Sequence, residues 1–246
     1  MKNPVIFTDL DDTLFQTMRK IPEGTPDLTV MSTLVDGSPS GYATPRQQAF
    51  LEWLQSGNVI PVTARSQDVI NRVNITYDTA IVANGGAILT NGGKSIDEDW
   101  HHRLRQKAAE TPIKIAVNLI KPMLGPDVRS WPVVQADIEL YYCIKSNTDD
   151  MARLEDIKET IAPLLGDGWR VHLNGNNLAF LPPWLNKRNA VQYLMDNFDG
   201  DESMRPIVGF GDSKSDTGFM DLCDYALTPT NSQIWTAFKE NNEWCR

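Results

Sequence analysis

The sequence lacks several features that would assign it to common protein classes. It has only three cysteines, Cys143, Cys223 and Cys245, which are far apart and form no C-x-x-C pair. A scattered, odd set of cysteines argues against a disulfide scaffold and favours a reducing, cytoplasmic location. No apolar run approaches the length of a transmembrane helix. The apolar stretch near the N-terminus is too short for the hydrophobic part of a signal peptide.

Positive charge is also scarce. The 246 residues include 23 lysines and arginines against 32 aspartates and glutamates, which gives a formal net charge of −9. Proteins that bind phosphate backbones need clustered basic residues, so we expect neither nucleic acid nor an anionic membrane surface as a partner. A hydrophobic share of 41% is sufficient for a sizeable core. The sequence does not indicate an oligomeric state.

The most informative stretch lies near the N-terminus. Residues 5–7 form a short apolar run that is typical of a buried parallel strand. Three carboxylates and a threonine follow at once: Asp9, Asp11, Asp12 and Thr13. Carboxylates at the C-terminal end of such a strand lie where open α/β sheets bind ligands. A plain polar turn after an edge strand is the alternative for an isolated D-x-D-x-T sequence.

The remaining segments predict a parallel sheet that is interrupted by an insert. Thr44 and Gln47 form a capping box that starts a helix to about Gln55, which should bury Phe50 among other residues. Before it lies a long hairpin-like flap at residues 16–43. Further core strands are expected at 58–63, 80–83, 206–210 and 225–227, with helices at 67–73, 187–198 and 232–240. The insert should hold a hairpin at 87–93, a helix at 102–123 broken near Pro112, one strand at 133–144, a helix to about 165 and a hairpin at 169–181.

These elements define an α/β fold class, with a parallel-sheet core and a smaller inserted α+β domain. We place the core at residues 1–86 and 185–246 and the insert at residues 87–184. The C-terminal ends of the parallel strands should bring together Asp9, Thr63, Asp212 and Asp216, with Lys187 at the start of a nearby helix. Clustered carboxylates repel one another unless a divalent cation joins them. Hard oxygen ligands favour Mg²⁺.

In this order the residues resemble the four motifs of the haloacid dehalogenase-like superfamily of aspartate-nucleophile phosphatases. Its D-x-D-x-T motif matches Asp9, Asp11 and Thr13, and its second motif, a strand that ends in threonine or serine, matches Thr63. Its lysine matches Lys187. Its acidic G-D-x-x-x-D motif matches Asp212 and Asp216. The stretches Thr63-Ala64-Arg65 and Asn84-Gly85-Gly86 are similar to the Cof-type and sucrose-phosphatase-like branch, in which an α+β cap is inserted between the second and third motifs.

The resemblance implies a Rossmann-like core and a Mg²⁺-dependent phosphomonoester hydrolase that acts through an aspartyl-phosphate. The substrate class it implies is a phosphorylated sugar or a related small metabolite. Asp9 would be the nucleophile and Asp11 the general acid and base. Thr63, Arg65, Asn84, Gly85 and Lys187 would bind the phosphate or the substrate. The metal would be held by Asp9, the backbone carbonyl of Asp11, Asp212 and Asp216, the last directly or through water.

Several alternatives stay open at this point. Lys214 is a rival for the role of Lys187, and Arg65 could either reach the substrate or pair with the acids. Asp12 is most simply a solvated turn residue or a cap. A phosphotransferase of the phosphomannomutase type would use the same Asp9, and a non-catalytic regulator that binds a phosphometabolite is less favoured. The segment 212–220 also half-resembles an EF-hand loop, but Lys214 occupies one of its ligand positions.

Overall fold

The computed structural model describes residues 3–148, 150–240 and 242. The chain divides into two compact units, Met1–Asp97 with Lys187–Arg246, and Glu98–Asn186. This division differs from the one predicted from the sequence at residues 87–97 and 185–186. Residues 87–97 belong to the first unit because residues 87–89 pair antiparallel with residues 80–82. Within the described residues, every helix is too short or too polar to cross a membrane.

The described strands and helices fall in three consecutive stretches of the chain. The first unit begins with β1 Val5–Thr8, β2 Thr29–Thr33, β3 Pro39–Ala43, α1 Pro45–Leu54, β4 Asn58–Pro61, α2 Gln67–Ile70, β5 Ala80–Val82, β6 Ala87–Thr90 and β7 Ser95–Ile96. The second unit holds α3 Glu98–Glu110, α4 Lys114–Ile120, β8 Val128–Gln135, β9 Ile138–Ser146, α5 Met151–Ile161, β10 Arg170–Asn174 and β11 Asn177–Leu181. The chain then returns to the first unit with α6 Lys187–Asp196, β12 Ile207–Phe210, α7 Thr217–Met220, β13 Tyr225–Leu227 and α8 Gln233–Glu240.

A parallel sheet in the order β13-β12-β1-β4 forms the centre of the first unit. All four residues of β1 are buried, as expected for a strand that is covered on both faces. A parallel bridge between Val62 and Ile81 links the end of β4 to β5. The α/β class with a parallel-sheet core is therefore confirmed, and the C-terminal ends of β1, β4 and β12 lie side by side.

Local sequence signals explain most of the first unit. The capping box at Thr44 is present, with reciprocal hydrogen bonds between Thr44 and Gln47. The expectation that Phe50 is buried was wrong, because its side chain is 36% exposed and stacks on Trp53 at the surface. The flap holds the antiparallel pair β2–β3. Helix α2 ends at Ile70, three residues earlier than predicted.

The second unit consists of helices packed on one face of an antiparallel sheet. Its antiparallel sheet has the order β10-β11-β9-β8, and buried residues of α4 and α5 pack against β9 and β11. The prediction of one strand at 133–144 was wrong, since β8 and β9 form a hairpin with Ala136 and Asp137 in its turn. Both turn residues have positive φ, 46° and 65°. Such turns normally carry asparagine or glycine, so Ala136 gives no turn signal.

Candidate active site

Asp9 occupies the centre of the candidate site. It follows β1 directly, and its backbone N–H donates to the carbonyl of Phe210 at 2.8 Å, so the end of β12 holds it in place. Only 6% of the residue is exposed. Because β1 lies between β4 and β12, side chains from both neighbouring strand ends can approach this carboxylate.

Lys187 is buried against two carboxylates. Its Nζ lies 2.7 Å from Oδ1 of Asp9 and 2.7 Å from Oδ1 of Asp216. The same nitrogen lies 5.9 Å from the centre of the Phe219 ring. Lys187 is the first residue of α6, whose apolar side, including Val191, is buried in the first unit. The helix therefore fixes the position from which the ammonium group reaches the strand ends.

Asp216 is fully buried and held from two sides. In addition to Lys187, it accepts hydrogen bonds from the backbone N–H of Ser213 at 3.0 Å and from the Ser213 hydroxyl at 2.7 Å. Gly211 makes this packing possible, because a Cβ atom there would lie 2.5 Å from Cβ of Asp216. The sequence predicted Asp216 but gave Ser213 no role, although it stands next to Asp212 in the motif.

Asp212 and Thr13 complete the acidic cluster. The Thr13 hydroxyl, which is buried, lies 3.3 Å from Oδ2 of Asp9 and 3.4 Å from Oδ1 of Asp212. A hydroxyl has one proton, so it can donate to only one of these oxygens at a time. Carboxylate oxygens of Asp9, Asp212 and Asp216 all lie within 4.8 Å of one another. We call these five residues the Asp9 cluster: Asp9, Thr13, Lys187, Asp212 and Asp216.

The pKa values in the Asp9 cluster reflect an excess of acidic groups over cations. Burial raises the pKa of Asp9 to about 7; the ammonium of Lys187 opposes this rise and the charge of Asp216 adds to it. Burial also raises the pKa of Asp212 to about 6, assisted by the charges of Asp216 and Asp12. Burial acts to lower the pKa of Lys187, but attraction to Asp9 and Asp216 outweighs it and holds that pKa above its ordinary value. Three acids share one cation, so the cluster favours a further positive charge.

Asp11 lies in a different environment from Asp9. The guanidinium of Arg65 binds it through two hydrogen bonds, from Nε to Oδ2 and from Nη2 to Oδ1, each 2.7 Å long. The side chain of Asp11 is 50% exposed, while that of Arg65 is 17% exposed. The guanidinium carbon also lies 5.3 Å from the centre of the Phe15 ring. Of the two possibilities left open for Arg65, the structure shows the pairing with an acid.

Thr63 and the loop at Asn84 meet next to β4. Thr63 is fully buried, its N–H donates to Ile81 at 2.9 Å, and its carbonyl accepts from the N–H of Asn84 at 3.0 Å. Its hydroxyl oxygen accepts from the backbone N–H of Arg65 at 3.1 Å. Asn84 and Gly85 both have positive φ, 60° and 94°. The phosphate-binding roles of Thr63, Asn84 and Gly85 stay predictions.

The rival residues lie outside the Asp9 cluster. Lys214 is exposed, and its backbone N–H contacts Gln233 at 3.4 Å. Asp12 pairs with Lys20, whose Nζ lies 2.5 Å from Oδ2 of Asp12. Asp12 also has a positive φ of 61°, a conformation that aspartate tolerates in turns. Lys187 is therefore the lysine in contact with the carboxylates, and Asp12 is a turn residue.

A parallel sheet of this order has Asp9, Thr63 and Asp212 just beyond its strand ends and Lys187 at the start of a helix. Together with the inserted α+β unit, this is the fold of the haloacid dehalogenase-like hydrolases. No protein-family model and no curated protein matches the sequence. Solved structures do match. The sucrose-phosphatase of Synechocystis sp. PCC6803, solved with sucrose and phosphate, is 16% identical with a TM-score of 0.58, and the match covers 100% of this chain and 90% of that one.

Two further solved structures have a similar fold. A protein from Eubacterium rectale is 15% identical with a TM-score of 0.60, over 96% of this chain and 91% of that one. The haloacid dehalogenase-like hydrolase protein yhjK of Bacillus subtilis is 14% identical with a TM-score of 0.52, over 96% of this chain and 85% of that one. At such identities the likeness confirms the fold. The roles of individual residues have to be argued from their own contacts.

Proposed function

We propose that the protein is a phosphomonoester hydrolase in which Asp9 is the nucleophile. The observation that carries the proposal is the buried contact of Asp9 with Lys187 at 2.7 Å, beside Asp212 and Asp216. A structural ion pair would need one carboxylate for the lysine. Here three acids converge, and two of them have raised pKa values. Such clusters are costly to fold and are typical of sites that bind a cation and do chemistry.

The acidic cluster fits Mg²⁺. Its donor atoms are carboxylate oxygens, which hard divalent cations prefer, and those of Asp9, Asp212 and Asp216 lie within 4.8 Å of one another. We propose that Asp9 and Asp212 bind the ion directly, that Asp216 binds it directly or through water, and that the backbone carbonyl of Asp11 is a further ligand. When bound, Mg²⁺ would supply positive charge to the carboxylates and to the phosphate of the substrate.

Asp9 would carry out the first chemical step. An oxygen of its carboxylate attacks phosphorus, the bond from phosphorus to the leaving oxygen breaks, and an aspartyl-phosphate forms. Lys187, at 2.7 Å, holds this carboxylate in one orientation. The ammonium of Lys187 lowers the pKa of Asp9, but burial outweighs it and raises this pKa to about 7. A bound cation would lower the pKa further and keep the carboxylate ionised at neutral pH.

Asp11 would move the proton in both steps. As an acid it gives a proton to the leaving oxygen, and as a base it takes one from the water that attacks the aspartyl-phosphate and frees inorganic phosphate. Its side chain is 50% exposed, so solvent and the leaving group of a substrate can reach it. Arg65 holds both of its oxygens. We propose that Arg65 orients Asp11, in addition to the substrate contact predicted from the sequence.

We further propose that Thr63, Asn84, Gly85 and Lys187 bind the phosphoryl oxygens. The backbone N–H of Asn84 donates to the carbonyl of Thr63 at 3.0 Å, so the Thr63 hydroxyl and the left-handed loop at Asn84 are held as one unit. Donors fixed in this way stabilise charge as it develops on phosphoryl oxygens.

The cytoplasmic location stays a prediction, and free thiols at Cys143 and Cys223 support it.

A phosphorylated sugar is the proposed substrate class. The support is the overall likeness to a sucrose-phosphatase that was solved with sucrose and phosphate. The test is a panel of phosphorylated sugars and other small phosphate esters, with Mg²⁺ present, in which release of inorganic phosphate is measured. We expect release from at least one sugar phosphate, and none after Asp9→Asn. Interconversion of a hexose 1-phosphate without free phosphate would contradict the hydrolase and indicate a phosphotransferase instead.

A further inference from the structure

The guanidinium of Arg65 is held by an aromatic ring as well as by a carboxylate. Its Nε and Nη2 each donate to Asp11 at 2.7 Å, and its Cζ lies 5.3 Å from the centre of the Phe15 ring. A guanidinium within about 6 Å of a ring centre is attracted to the face of the ring. Phe15 therefore contacts the residue that holds Asp11, the proposed general acid and base.

The pair of Arg65 and Asp11 benefits from this ring because its carboxylate is half exposed. The side chain of Asp11 is 50% exposed, while that of Arg65 is 17% exposed. An ion pair near the surface contributes little by itself, because two flexible side chains must be fixed in one geometry. A ring that packs against the arginine removes part of this freedom. Arg65 is thus the fixed partner of the pair, and Asp11 is the partner that solvent reaches.

Backbone contacts fix the position of Phe15 itself. Its side chain is buried, and its carbonyl accepts a hydrogen bond from the N–H of Asp12 at 2.8 Å, which closes the loop directly after Asp11. The next residue, Gln16, exchanges two backbone hydrogen bonds with Tyr42 of β3, 3.0 and 2.8 Å long. The loop that carries Asp11 and the flap strand β3 therefore meet at Phe15.

Gly41 of β3 leaves the space that the ring occupies. A Cβ atom at this position would lie 2.8 Å from Cδ2 and 2.9 Å from Cε2 of Phe15, and 2.5 Å from the hydroxyl oxygen of Ser32. Carbon atoms normally pack about 3.5 to 4 Å apart, so a side chain there would displace the ring or the flap. Ser32 is fully buried and contacts the Ser40 hydroxyl at 2.9 Å. A residue of the flap thereby determines where the ring can lie.

We propose that Phe15 is a positioning residue of the hydrolase: its ring holds the guanidinium of Arg65, Arg65 holds Asp11, and Gly41 makes room for the ring. Proton transfer needs Asp11 within hydrogen-bond reach of the leaving oxygen, and a displacement of about 1 Å can cost about a hundredfold in rate. This inference rests on the proposed function and gives the flap a part in it. If the ring only fills the apolar core to which it belongs, turnover will not depend on Asp11 being present when the ring is changed.

The first test is Phe15→Leu, which keeps an apolar side chain and removes the ring. With Mg²⁺ and the sugar phosphate that gives the fastest release, we expect kcat to fall about threefold to tenfold and KM to change by less than about twofold. Phe180→Leu is the matched control, because its ring is also fully buried in an apolar cluster but lies in the second unit; its kcat should stay at the wild-type value. Both variants are assayed at a temperature at which circular dichroism shows them folded.

A double-mutant cycle shows whether the ring acts through Arg65 and Asp11. When Phe15→Leu is added to Arg65→Gln or to Asp11→Asn, the residual kcat should change by less than about 1.5-fold, because the contact through which the ring acts is already lost. A second substrate, p-nitrophenyl phosphate, has a leaving group that departs without a proton. In a single turnover, Phe15→Leu should release nitrophenolate at the wild-type rate and still be slow on the sugar phosphate. A purely structural role would slow both substrates equally.

Gly41→Ala tests the same contacts from the flap. The added Cβ presses on the ring, so kcat should fall about threefold to tenfold, and this fall should again disappear in Asp11→Asn. Gly200→Ala is the control, because a Cβ there meets no atom within 4 Å. Replacement of Phe15 by pentafluorophenylalanine keeps the ring but reverses its charge distribution. It should lower kcat as Phe15→Leu does, and it decides the question if Phe15→Leu does not fold.

NMR in EDTA follows the ring contact without turnover. The Nε–H signal of Arg65, identified by its loss in Arg65→Gln, should shift in Phe15→Leu because the ring current is lost, and should stay in place in Phe180→Leu and Gly200→Ala. The inference is overturned if Phe15→Leu keeps the wild-type kcat on the sugar phosphate, or if its effect persists at full size in Asp11→Asn. Absence of turnover in the wild type would contradict the hydrolase proposal, whereas wild-type turnover that Phe15→Leu leaves unchanged would contradict this inference alone.

Discussion

Asp9 and Asp11 are two residues apart, yet they lie in opposite environments. Asp9 is buried in contact with Lys187. Burial and the nearby charge of Asp216 raise its pKa to about 7. Asp11 is half exposed and is held by a single arginine in a planar, two-bond contact. Burial therefore separates their chemistry more than residue type does. A buried carboxylate held by a lysine suits a nucleophile of fixed position, and an exposed one suits proton transfer with solvent and substrate.

The largest effect should come from Asp9. Asp9→Asn removes the proposed nucleophile, and we expect kcat to fall by roughly a thousandfold or more, measured as phosphate release with Mg²⁺ present. The circular dichroism spectrum should stay unchanged. Asp12→Asn is the matched control, because Asp12 is in the same loop and its side chain forms an ion pair with the exposed Lys20; it should change kcat by less than about threefold. Turnover that survives in Asp9→Asn would show that another group attacks phosphorus.

Lys187→Gln tests the buried environment of Asp9. This change leaves Asp9 and Asp216 without their cation in a buried site, and we expect the free energy of unfolding to fall by about 3 kcal/mol, together with a severe loss of kcat. Urea denaturation measures the first effect. Lys214→Gln, which changes the exposed rival lysine, should shift stability by less than about 0.5 kcal/mol. Equal effects of the two substitutions would contradict the assignment of Lys187.

Arg65→Gln tests the exposed environment of Asp11. Loss of the two-bond contact leaves Asp11 free to rotate, and we expect kcat to fall about tenfold to a hundredfold, as for other misplaced catalytic groups. Stability should fall by only about 1 kcal/mol or less, because the Asp11 side chain is exposed to solvent. Arg188→Gln, which breaks the exposed pair with Asp221, should leave kcat unchanged. If Arg65→Gln raises KM alone, its role is substrate binding and not the orientation of Asp11.

The smallest effect concerns Asp212 in the absence of metal. Its pKa of about 6 lies above the ordinary value of 3.8, so between these values the folded protein holds a proton that the unfolded chain has lost. Stability from this group is therefore lost as the pH rises. Asp212→Asn avoids that loss. In EDTA we expect its melting temperature to match the wild type near pH 4 and to exceed it by about 2 to 4 °C at pH 7.

Addition of Mg²⁺ should reverse the order at pH 7. The wild type should gain melting temperature because the ion binds its carboxylates, while Asp212→Asn, with one ligand fewer, should gain much less. Differential scanning calorimetry at several pH values measures both effects. A difference between the two proteins that does not change with pH, or an equal gain from Mg²⁺, would show that Asp212 is not part of a strained metal site.

Prediction from sequence succeeded where a residue's position in the fold depends on its place along a strand or a helix. Apolar residues before Asp9 and before Asp212 marked two strand ends, and parallel strands bring such ends together whatever the rest of the chain does. Lys187 was predicted at a helix start and by its match to the lysine of the family that the sequence resembles, with Lys214 as a rival. Strand ends and helix starts are features of the backbone, and the pattern of apolar and polar residues along the sequence is enough to predict them.

Prediction failed or stopped short where side-chain direction or unusual backbone decides. Arg65 had two plausible partners, and only the structure shows that its fork reaches Asp11. The hydroxyl of Ser213 holds Asp216 through a contact within one loop, which no spacing rule indicates. The turn at Ala136 adopts a left-handed conformation without asparagine or glycine, because the pairing of β8 with β9 compensates for the local cost.

The most direct measurement is the detection of a phosphoryl group on Asp9 during turnover. The protein would be mixed with Mg²⁺ and the phosphate ester that gives the fastest release, quenched in acid, and digested for mass spectrometry. We predict a phosphorylated peptide that contains Asp9, loses its phosphoryl group in neutral hydroxylamine as acyl phosphates do, and is absent from Asp9→Asn. Phosphate release with no such peptide, or with the phosphoryl group on another residue, would contradict Asp9 as the nucleophile.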